Sequence, residues 1–325
     1  MKKFCLAASV MGALNFAMAG GAIAAFPERP ITIVVGYAPG GTTDILARAI
    51  AEQLGKNLKT SVIIENRAGA AGNLAAALVE KAAPDGYTLF VATVSSHGIN
   101  PAIYNRNLGY KPVEGFAPVG MVASIPLLLV TNPKLGFSTV EQLVDAAKQK
   151  PGQLNYASSG NGSPVHMAGA MFARAAGVDI VHVPYRGGAL ANTSVMSGET
   201  QFTFATMPAA LPQVKAGALE AVAVTTAKRS DQLPDTPAIA EAPGFSGYEI
   251  NTWNALLAPS GTPPETIATL NGAIAEILKT PALKERFERE GATPQWMSPA
   301  DTSKFIDQEL AKWKETADRL KIEIQ

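Results

Sequence analysis

Short apolar runs alternate with amphipathic stretches along most of the chain. The apolar runs, which are rich in β-branched residues, predict strands at residues 31–35, 61–65, 88–93, 117–122, 127–131, 155–157, 180–183, 203–205, 221–225 and 248–257. Between them, helical spacing predicts helices at residues 43–54, 73–82, 140–150, 164–176, 190–197 and 209–216. This alternation predicts an α/β fold with a mostly parallel sheet that helices cover on both faces.

Three helix starts carry the signature of a capping box, a hydroxyl residue followed three positions later by an acid. The pairs are Ser138 with Glu141, Thr262 with Glu265, and Ser298 with Asp301. We expect each hydroxyl to cap the helix that follows it.

Two long extended segments, residues 121–133 and 248–259, are interpreted as strands that run from one domain into the other. The chain then divides into a signal peptide (residues 1–25), a discontinuous domain 1 (residues 26–123 and 247–325) and a continuous domain 2 (residues 124–246). Two crossing strands form the hinge between these domains. A ligand cleft is expected between the domains, where small molecules often bind.

A glycine-rich junction follows the first predicted strand. Pro39, Gly40 and Gly41 end the strand, and Thr42 leads into a helix. Residues 39–44 are called the first loop below. Free N–H groups in a first helical turn attract anions, but this loop lacks the lysine of a phosphate-binding loop. A small carboxylate is the better candidate for a ligand, and the alternative is that this turn binds nothing. Asp44 either caps the helix or contacts the ligand.

A second glycine-rich junction lies in domain 2. Residues 158–163, the second loop, follow a short strand, and Pro164 opens a helix with Ser163 as its expected N-cap. Capping and ligand contact are compatible for Ser163. Two such loops, one in each domain, are suited to grip the two ends of a dicarboxylate.

The N-terminus and the composition limit the compartment and the partners. Two lysines precede an apolar stretch too short to span a bilayer, and small residues near Ala24 and Ala25 predict a cleaved signal peptide. The single cysteine, Cys5, lies inside that leader, so the exported chain has no disulfide, as suits a bacterial periplasm. Lys plus Arg and Asp plus Glu both number 27, which argues against nucleic-acid binding.

Five motifs in order resemble the substrate-binding receptors of tripartite tricarboxylate transporters, called Bug-type receptors. They lie at residues 37–44, 65–73, 84–89, 155–166 and 182–188. The resemblance implies a two-domain periplasmic binding protein fold (type II-like), capture of a small carboxylate in the cleft, and delivery to membrane permease subunits. The expected ligand-binding residues are Tyr37, Pro39, Gly40, Gly41, Thr42, Asp44, Ser95, Ser158, Ser159, Asn161, Gly162, Ser163, Tyr185, Arg186 and Thr206.

The chain departs from the family pattern in two places. Such receptors usually read Asn-Arg-Pro-Gly-Ala-Gly-Gly where residues 66–72 read Asn-Arg-Ala-Gly-Ala-Ala-Gly, so we expect a loop of different shape. After the strand at residues 203–205 they often carry an acid, whereas this chain has Ala205 and Thr206. Because an acid there is suited to a ligand ammonium, its absence favours a ligand without an amino group.

The sequence favours a binding function without catalysis. His97, His166 and His182 lack the spacing of a zinc site and are interpreted as packing residues. Arg186 is suited to a carboxylate but equally to a solvated salt bridge. We expect a monomeric receptor for a di- or tricarboxylate or an aromatic acid, with no metal or cofactor. The alternatives are a ligand-sensing protein for a signalling partner and an exported α/β hydrolase; which carboxylate is bound is not evident from the sequence.

Overall fold

The computed structural model describes residues 26–104 and 108–322. The strands are β1 Ile31–Val35, β2 Val62–Asn66, β3 Thr88–Thr93, β4 Phe116–Thr131, β5 Asn155–Ser158, β6 Val181–Pro184, β7 Phe202–Thr206, β8 Glu220–Val224, β9 Asn251–Pro259 and β10 Thr293–Pro294. The helices are α1 Thr42–Leu58, α2 Asn73–Glu80, α3 Asn100–Ile103, α4 Val140–Gln149, α5 Pro164–Ala176, α6 Gly188–Ser197, α7 Met207–Lys215, α8 Pro264–Ile277, α9 Pro281–Arg289 and α10 Pro299–Leu320. The predicted signal peptide lies outside the described residues.

The strands form one mixed sheet in the order β2-β1-β3-β9-β4-β7-β5-β6, and β8 and β10 also pair with β4. β1 is parallel to β2 and β3, and β5 is parallel to β6 and β7. β9 is antiparallel to β3 and β4, and β4 is also antiparallel to β7 and β8. The prediction of a mostly parallel sheet is therefore wrong, because β4 and β9 cross the molecule in opposite directions and pair with each other.

β4 is a single strand of 16 residues where two strands were predicted. Its first part, residues 116–126, pairs with β9, and its last part, residues 127–131, pairs with β7 and β8. Pro126 stays within the strand, opposite Asn251. We propose that the two domains divide where β4 changes partners.

Both faces of the sheet are buried, which explains the continuous apolar runs in the sequence. In β1, Ile33 and Val35 pack with Leu46 and Ile50 of α1, whereas Val34 faces the opposite cluster, which includes α2 and α10. The last part of β4 alternates in the same way between α5 on one face and α6 and α7 on the other. The end of β1 leads into the first glycine-rich loop, and the end of β5 leads into the second.

The capping predictions have mixed outcomes. The Ser298 hydroxyl accepts the Asp301 N–H at 3.1 Å, as expected. The cap of α4 lies one residue later than predicted, since Thr139 and Gln142 form the capping box. The Thr262 hydroxyl donates to the carbonyl of Pro259 at 2.8 Å and caps no helix, so that prediction is wrong.

The loop after β2 holds alanine in a left-handed conformation, with Ala71 at φ 51° and ψ 35°. Family members usually have glycine at this position, and glycine adopts that conformation without strain. We expect Ala71→Gly to raise the free energy of unfolding by about 1 kcal/mol in urea titrations. The control is Ala268→Gly on the exposed side of α8, which should lower it by about 1 kcal/mol. Destabilisation by both variants would contradict the interpretation of strain at Ala71.

Candidate functional site

The first loop is fastened by the buried carboxylate of Asp44. This carboxylate accepts hydrogen bonds from the Gly40 N–H at 2.9 Å, Arg48 Nε at 3.0 Å and Asn66 Nδ2 at 2.8 Å. Burial raises the pKa of the Asp44 carboxyl, but the bonds from Arg48, Gly40 and Asn66 outweigh it and leave the pKa below its usual value. These contacts favour the structural interpretation of Asp44, which holds the loop in shape.

The start of α1 is open to an anion. Gly41 is the N-cap and supplies no side chain to the helix. Within the described residues, the N–H groups of Thr42, Thr43 and Asp44 have no hydrogen-bond acceptor. Gly40 and Gly41 are exposed, so a ligand can approach the backbone closely. Unpaired N–H groups at a helix N-terminus favour a carboxylate oxygen.

Tyr37 and Ser95 lie beside the first loop at the end of the sheet. The Tyr37 hydroxyl donates to Ala71 O at 3.2 Å and lies 3.0 Å from Thr93 Oγ1. The Ser95 side chain also hydrogen-bonds to Tyr37, whose pKa is raised by burial. Tyr37 is therefore a neutral phenol that anchors this end of the sheet.

The second loop turns sharply at Gly160 and Gly162, which have φ values of 120° and 72°. The Ser163 hydroxyl accepts the His166 N–H at 3.1 Å, which confirms the predicted N-cap of α5. The N–H groups of Gly160 and Ser163 are bound within the loop. In the described part of the chain, those of Ser159, Asn161 and Val165 have no acceptor, so the second loop also presents unpaired N–H groups.

Ser158 and His182 form a pair that sequence reasoning did not find. Ser158 Oγ lies 2.6 Å from His182 Nε2, the distance expected between a nucleophile and its base. Burial, with a smaller contribution from His166, lowers the pKa of His182 to about 3, which makes the imidazole a weak base. Ser158 is fully buried, and no carboxylate contacts His182 among the described residues. This geometry does not favour hydrolysis.

Each glycine-rich loop contacts a residue of the other predicted domain. Thr42 Oγ1 of the first loop lies 2.8 Å from Thr206 Oγ1 at the end of β7. In the second loop, a methyl group on Gly162 would lie 2.6 Å from Asn100 Oδ1 and 3.0 Å from Ile103 Cδ1. The structure thus brings Thr42 to Thr206, and Gly162 to Asn100 and Ile103.

The remaining predicted site residues are Tyr185, Arg186, Pro39 and Asn161. The Tyr185 N–H donates to Ser158 O at 2.9 Å, while the buried Tyr185 hydroxyl has no partner. Arg186 is exposed and forms no ion pair with any described residue. Pro39 and Asn161 are exposed as well.

Asn100 was missed by sequence reasoning. Its Nδ2 donates to Asn73 Oδ1 at 2.7 Å, whereas its buried Oδ1 has no partner. A side-chain amide directly after the turn Ser95–Ile99 was the available signal, but nothing local shows that it meets Gly162.

Two general features of the described residues complete the site description. No group of three or more His, Cys, Asp or Glu side chains is arranged there to hold a metal ion. None of the helices in residues 26–104 and 108–322 combines the length and apolar character required to cross a membrane.

Comparisons with known proteins identify the family. The model of the tripartite tricarboxylate transporter family receptor matches residues 46–322. Protein BugT of Bordetella pertussis is 36% identical over 300 residues, covering 91% of this chain and 92% of BugT. The structure of Rpa4515 of R. palustris with adipate has a TM-score of 0.88 at 37% identity, covering 92% of this chain and 99% of that one.

Two further solved structures agree. The periplasmic binding protein BugD has a TM-score of 0.86 at 30% identity, over 92% of this chain and 100% of that one. MatC from Rhodopseudomonas palustris with bound malate has a TM-score of 0.83 at 30% identity, over 90% of this chain and 99% of that one. This chain has the two-domain periplasmic binding protein fold and belongs to the tripartite tricarboxylate transporter receptor family.

Proposed function

We propose that this protein captures a small dicarboxylate between its two domains and delivers it to the membrane subunits of a tripartite tricarboxylate-type transporter. The observation that carries the proposal is the pair of glycine-rich loops, each with unpaired backbone N–H groups and each in contact with the other predicted domain. Relatives at 37% and 30% identity bind adipate and malate. We further propose that the chain is exported to the periplasm after removal of residues 1–25.

Each loop takes one carboxylate of the ligand. The N–H groups of Thr42, Thr43 and Asp44 form one anion site, and those of Ser159 and Asn161 contribute to the other. Backbone N–H groups bind carboxylate oxygens without a formal positive charge, aided by the positive end of each helix.

The ligand carries no ammonium group in this proposal. Many family members have an acid where this chain has Ala205, and the neighbouring Thr206 hydrogen-bonds with Thr42 at 2.8 Å. A pair of hydroxyl groups carries no negative charge to compensate a ligand ammonium. Burying a charged group without such compensation is costly. Plain and hydroxylated dicarboxylates are therefore favoured over amino acids.

Thermal unfolding and calorimetric titration of residues 26–325 test this function. Adipate, malate, citrate, benzoate and aspartate serve as probes. We expect a dicarboxylate at 100 times its dissociation constant to stabilise the protein by about 2.7 kcal/mol and aspartate to have little effect. Absence of stabilisation by every carboxylate would contradict the proposal.

The variant Gly41→Val separates ligand contact from folding. A side chain at Gly41 would meet nothing closer than Ala38 O at 3.6 Å, and the backbone is extended at φ −80°. We therefore expect an unchanged melting temperature and weaker dicarboxylate binding, because the added side chain stands between the ligand and the N–H groups of α1. Unchanged affinity would place the ligand elsewhere.

A further inference from the structure

Two stacked histidines form hydrogen bonds with residues of the second loop. The rings of His166, in α5, and His182, in β6, have centroids 4.1 Å apart and planes 17° apart. Tyr156 stacks on the other side of His182, with centroids 5.0 Å apart, and its hydroxyl donates to His166 O at 3.2 Å. Both histidines belong to the family-like motifs, yet neither is among the expected ligand contacts.

His182 holds the start of the second loop through Ser158. Ser158 Oγ accepts the Gly160 N–H at 3.1 Å and has two possible acceptors for its own proton, His182 Nε2 at 2.6 Å and Gly160 O at 3.3 Å. A separation of 2.6 Å is shorter than bonds from an N–H donor usually are and is suited to an O–H donor, so we assign the Ser158 proton to the bond with His182. Because the Ser158 hydroxyl donates its proton to His182, it does not donate to a ligand, and its role is to shape the loop.

His166 holds the end of the same loop. Its Nδ1 accepts the Gly162 N–H at 3.4 Å, and its backbone N–H donates to Ser163 Oγ at 3.1 Å. The Gly162 N–H therefore points toward the imidazole and is not among the unpaired groups. Only the N–H groups of Ser159, Asn161 and Val165 are left unpaired in this part of the chain.

Both imidazoles must be neutral for this arrangement, because a doubly protonated ring has no acceptor. Burial lowers the pKa of His166 to about 4. Burial and the neighbouring His166 lower the pKa of His182 to about 3. At neutral pH each ring therefore keeps one unprotonated nitrogen, Nδ1 in His166 and Nε2 in His182.

We propose that His166 and His182 are positioning residues for ligand capture, which hold the second loop and the start of α5 so that the unpaired N–H groups of Ser159, Asn161 and Val165 converge on one carboxylate. This inference rests on the proposed function. It assigns the two histidines a role in affinity rather than packing alone, although neither contacts the ligand.

Paired substitutions distinguish the effect of the acceptor nitrogen on ligand affinity from the effect of the aromatic ring. His182→Phe keeps the stacked ring and loses the acceptor, whereas His182→Gln keeps an acceptor near Nε2 and loses the ring. His166→Phe and His166→Asn form the matched pair for Nδ1. We expect each phenylalanine variant to bind adipate or malate about tenfold more weakly, and each amide variant to stay within about threefold of wild type. Wild-type affinity in both phenylalanine variants would overturn the inference.

Nitrogen-15 NMR of the unliganded protein at pH 7 provides a readout that packing alone does not determine. The expected spectrum shows His182 protonated at Nδ1 and His166 protonated at Nε2, two neutral rings in opposite tautomers. A His182 ring protonated at Nε2, or a charged ring at either position, would overturn the assignment.

The proposed function and this inference fail in distinguishable ways. Wild-type protein that binds no carboxylate would contradict the proposed function. In that event, amide hydrogen exchange at Gly160 and Gly162 still decides the role of the histidines. Faster exchange in the phenylalanine variants than in the amide variants would support it, and equal exchange would overturn it.

Discussion

Gly162→Ala is expected to weaken dicarboxylate binding about ten- to hundredfold, because the new methyl group would crowd the contact of the second loop with Asn100 and Ile103. It would lie 2.6 Å from Asn100 Oδ1 and 3.0 Å from Ile103 Cδ1. Asn100 is buried, and its Nδ2 is bound to Asn73, so it has little freedom to move away. Overpacking of this kind costs about 1–3 kcal/mol, and each 1.4 kcal/mol is about tenfold in affinity.

Gly136→Ala is the matched control for this prediction. Gly162 and Gly136 have nearly identical φ angles, 72° and 71°, but a side chain at Gly136 would meet nothing within 4 Å. Both variants should lose about 1 kcal/mol of stability from the left-handed alanine, and only Gly162→Ala should lose affinity. Calorimetric titration with adipate or malate measures the difference. Equal affinities of the two variants would show that the Gly162–Asn100 contact has no part in closure.

The elements that sequence reasoning placed best are those whose limits are set locally. β1, β3 and α5 begin and end at the predicted residues. In α5, Pro164 and the cap Ser163 mark the start, and Gly177 with φ 63° marks the end. Apolar periodicity, caps and left-handed glycines act over a few residues, so one sequence is sufficient to read them.

The direction of the strands and the continuity of β4 depend on contacts between distant segments rather than on local sequence. Residues 123–126 fall between the two predicted strands but within the extended segment expected at residues 121–133, and β9 pairs with them along their length. The antiparallel pairing of β4 with β9 depends on two segments far apart in the chain. Periodicity describes the faces of a strand but not its neighbours.

The same distinction applies to the site. Both glycine-rich loops and the Ser163 cap were visible in the sequence, since glycine, proline and serine mark a strand–helix junction. The bond between Thr42 and Thr206 joins residues 164 positions apart. The bond between Ser158 and His182 spans 24 positions, across α5 and into β6. Only the folded sheet brings such partners together.

The free energy of unfolding is expected to fall as the pH decreases from 7 to 5, because the pKa values of His97, His166 and His182 are lowered in the folded protein. His97 is fully buried among aromatic rings, with its centroid 5.0 Å from that of Phe116 and 5.9 Å from that of Tyr110. Its Nδ1 lies 3.0 Å from Ser96 Oγ, and its Nε2 has no partner. Burial lowers the pKa of His97 from 6.5 to about 3.

The direction of this pH dependence follows from the difference in proton uptake between the folded and the unfolded protein. Below pH 6.5 the unfolded chain binds a proton at His97 and the folded protein does not, so stability rises with pH in this range. The contribution is complete above pH 6.5 and is lost progressively as the pH falls toward the folded pKa. At about 1.4 kcal/mol per pH unit, His97 accounts for a loss of about 2 kcal/mol between pH 6.5 and 5. His166 and His182, whose pKa values are also lowered, act in the same direction.

The variant His97→Leu isolates this contribution. Leucine removes the titrating group and the unpaired Nε2, while Ser96 Oγ still donates to Thr93 O at 3.2 Å. We expect the variant to be at least as stable as wild type at pH 7 and to lose about 2 kcal/mol less between pH 7 and 5. Urea titrations at half-unit pH intervals measure both values.

Phe116→Leu is the control, because it removes a ring from the same cluster without removing a titratable group. It should lower the free energy of unfolding by the same amount at every pH, so its curve should run parallel to that of wild type. Carboxyl groups with lowered pKa values, such as Asp44 and Glu241, exert their effect mainly below pH 5 and leave this window to the histidines. The free energy of unfolding of His97→Leu could also run parallel to that of wild type across this pH range. His97 would then be protonated to the same degree in the folded and unfolded protein, and the assignment of acid sensitivity to its burial would be wrong.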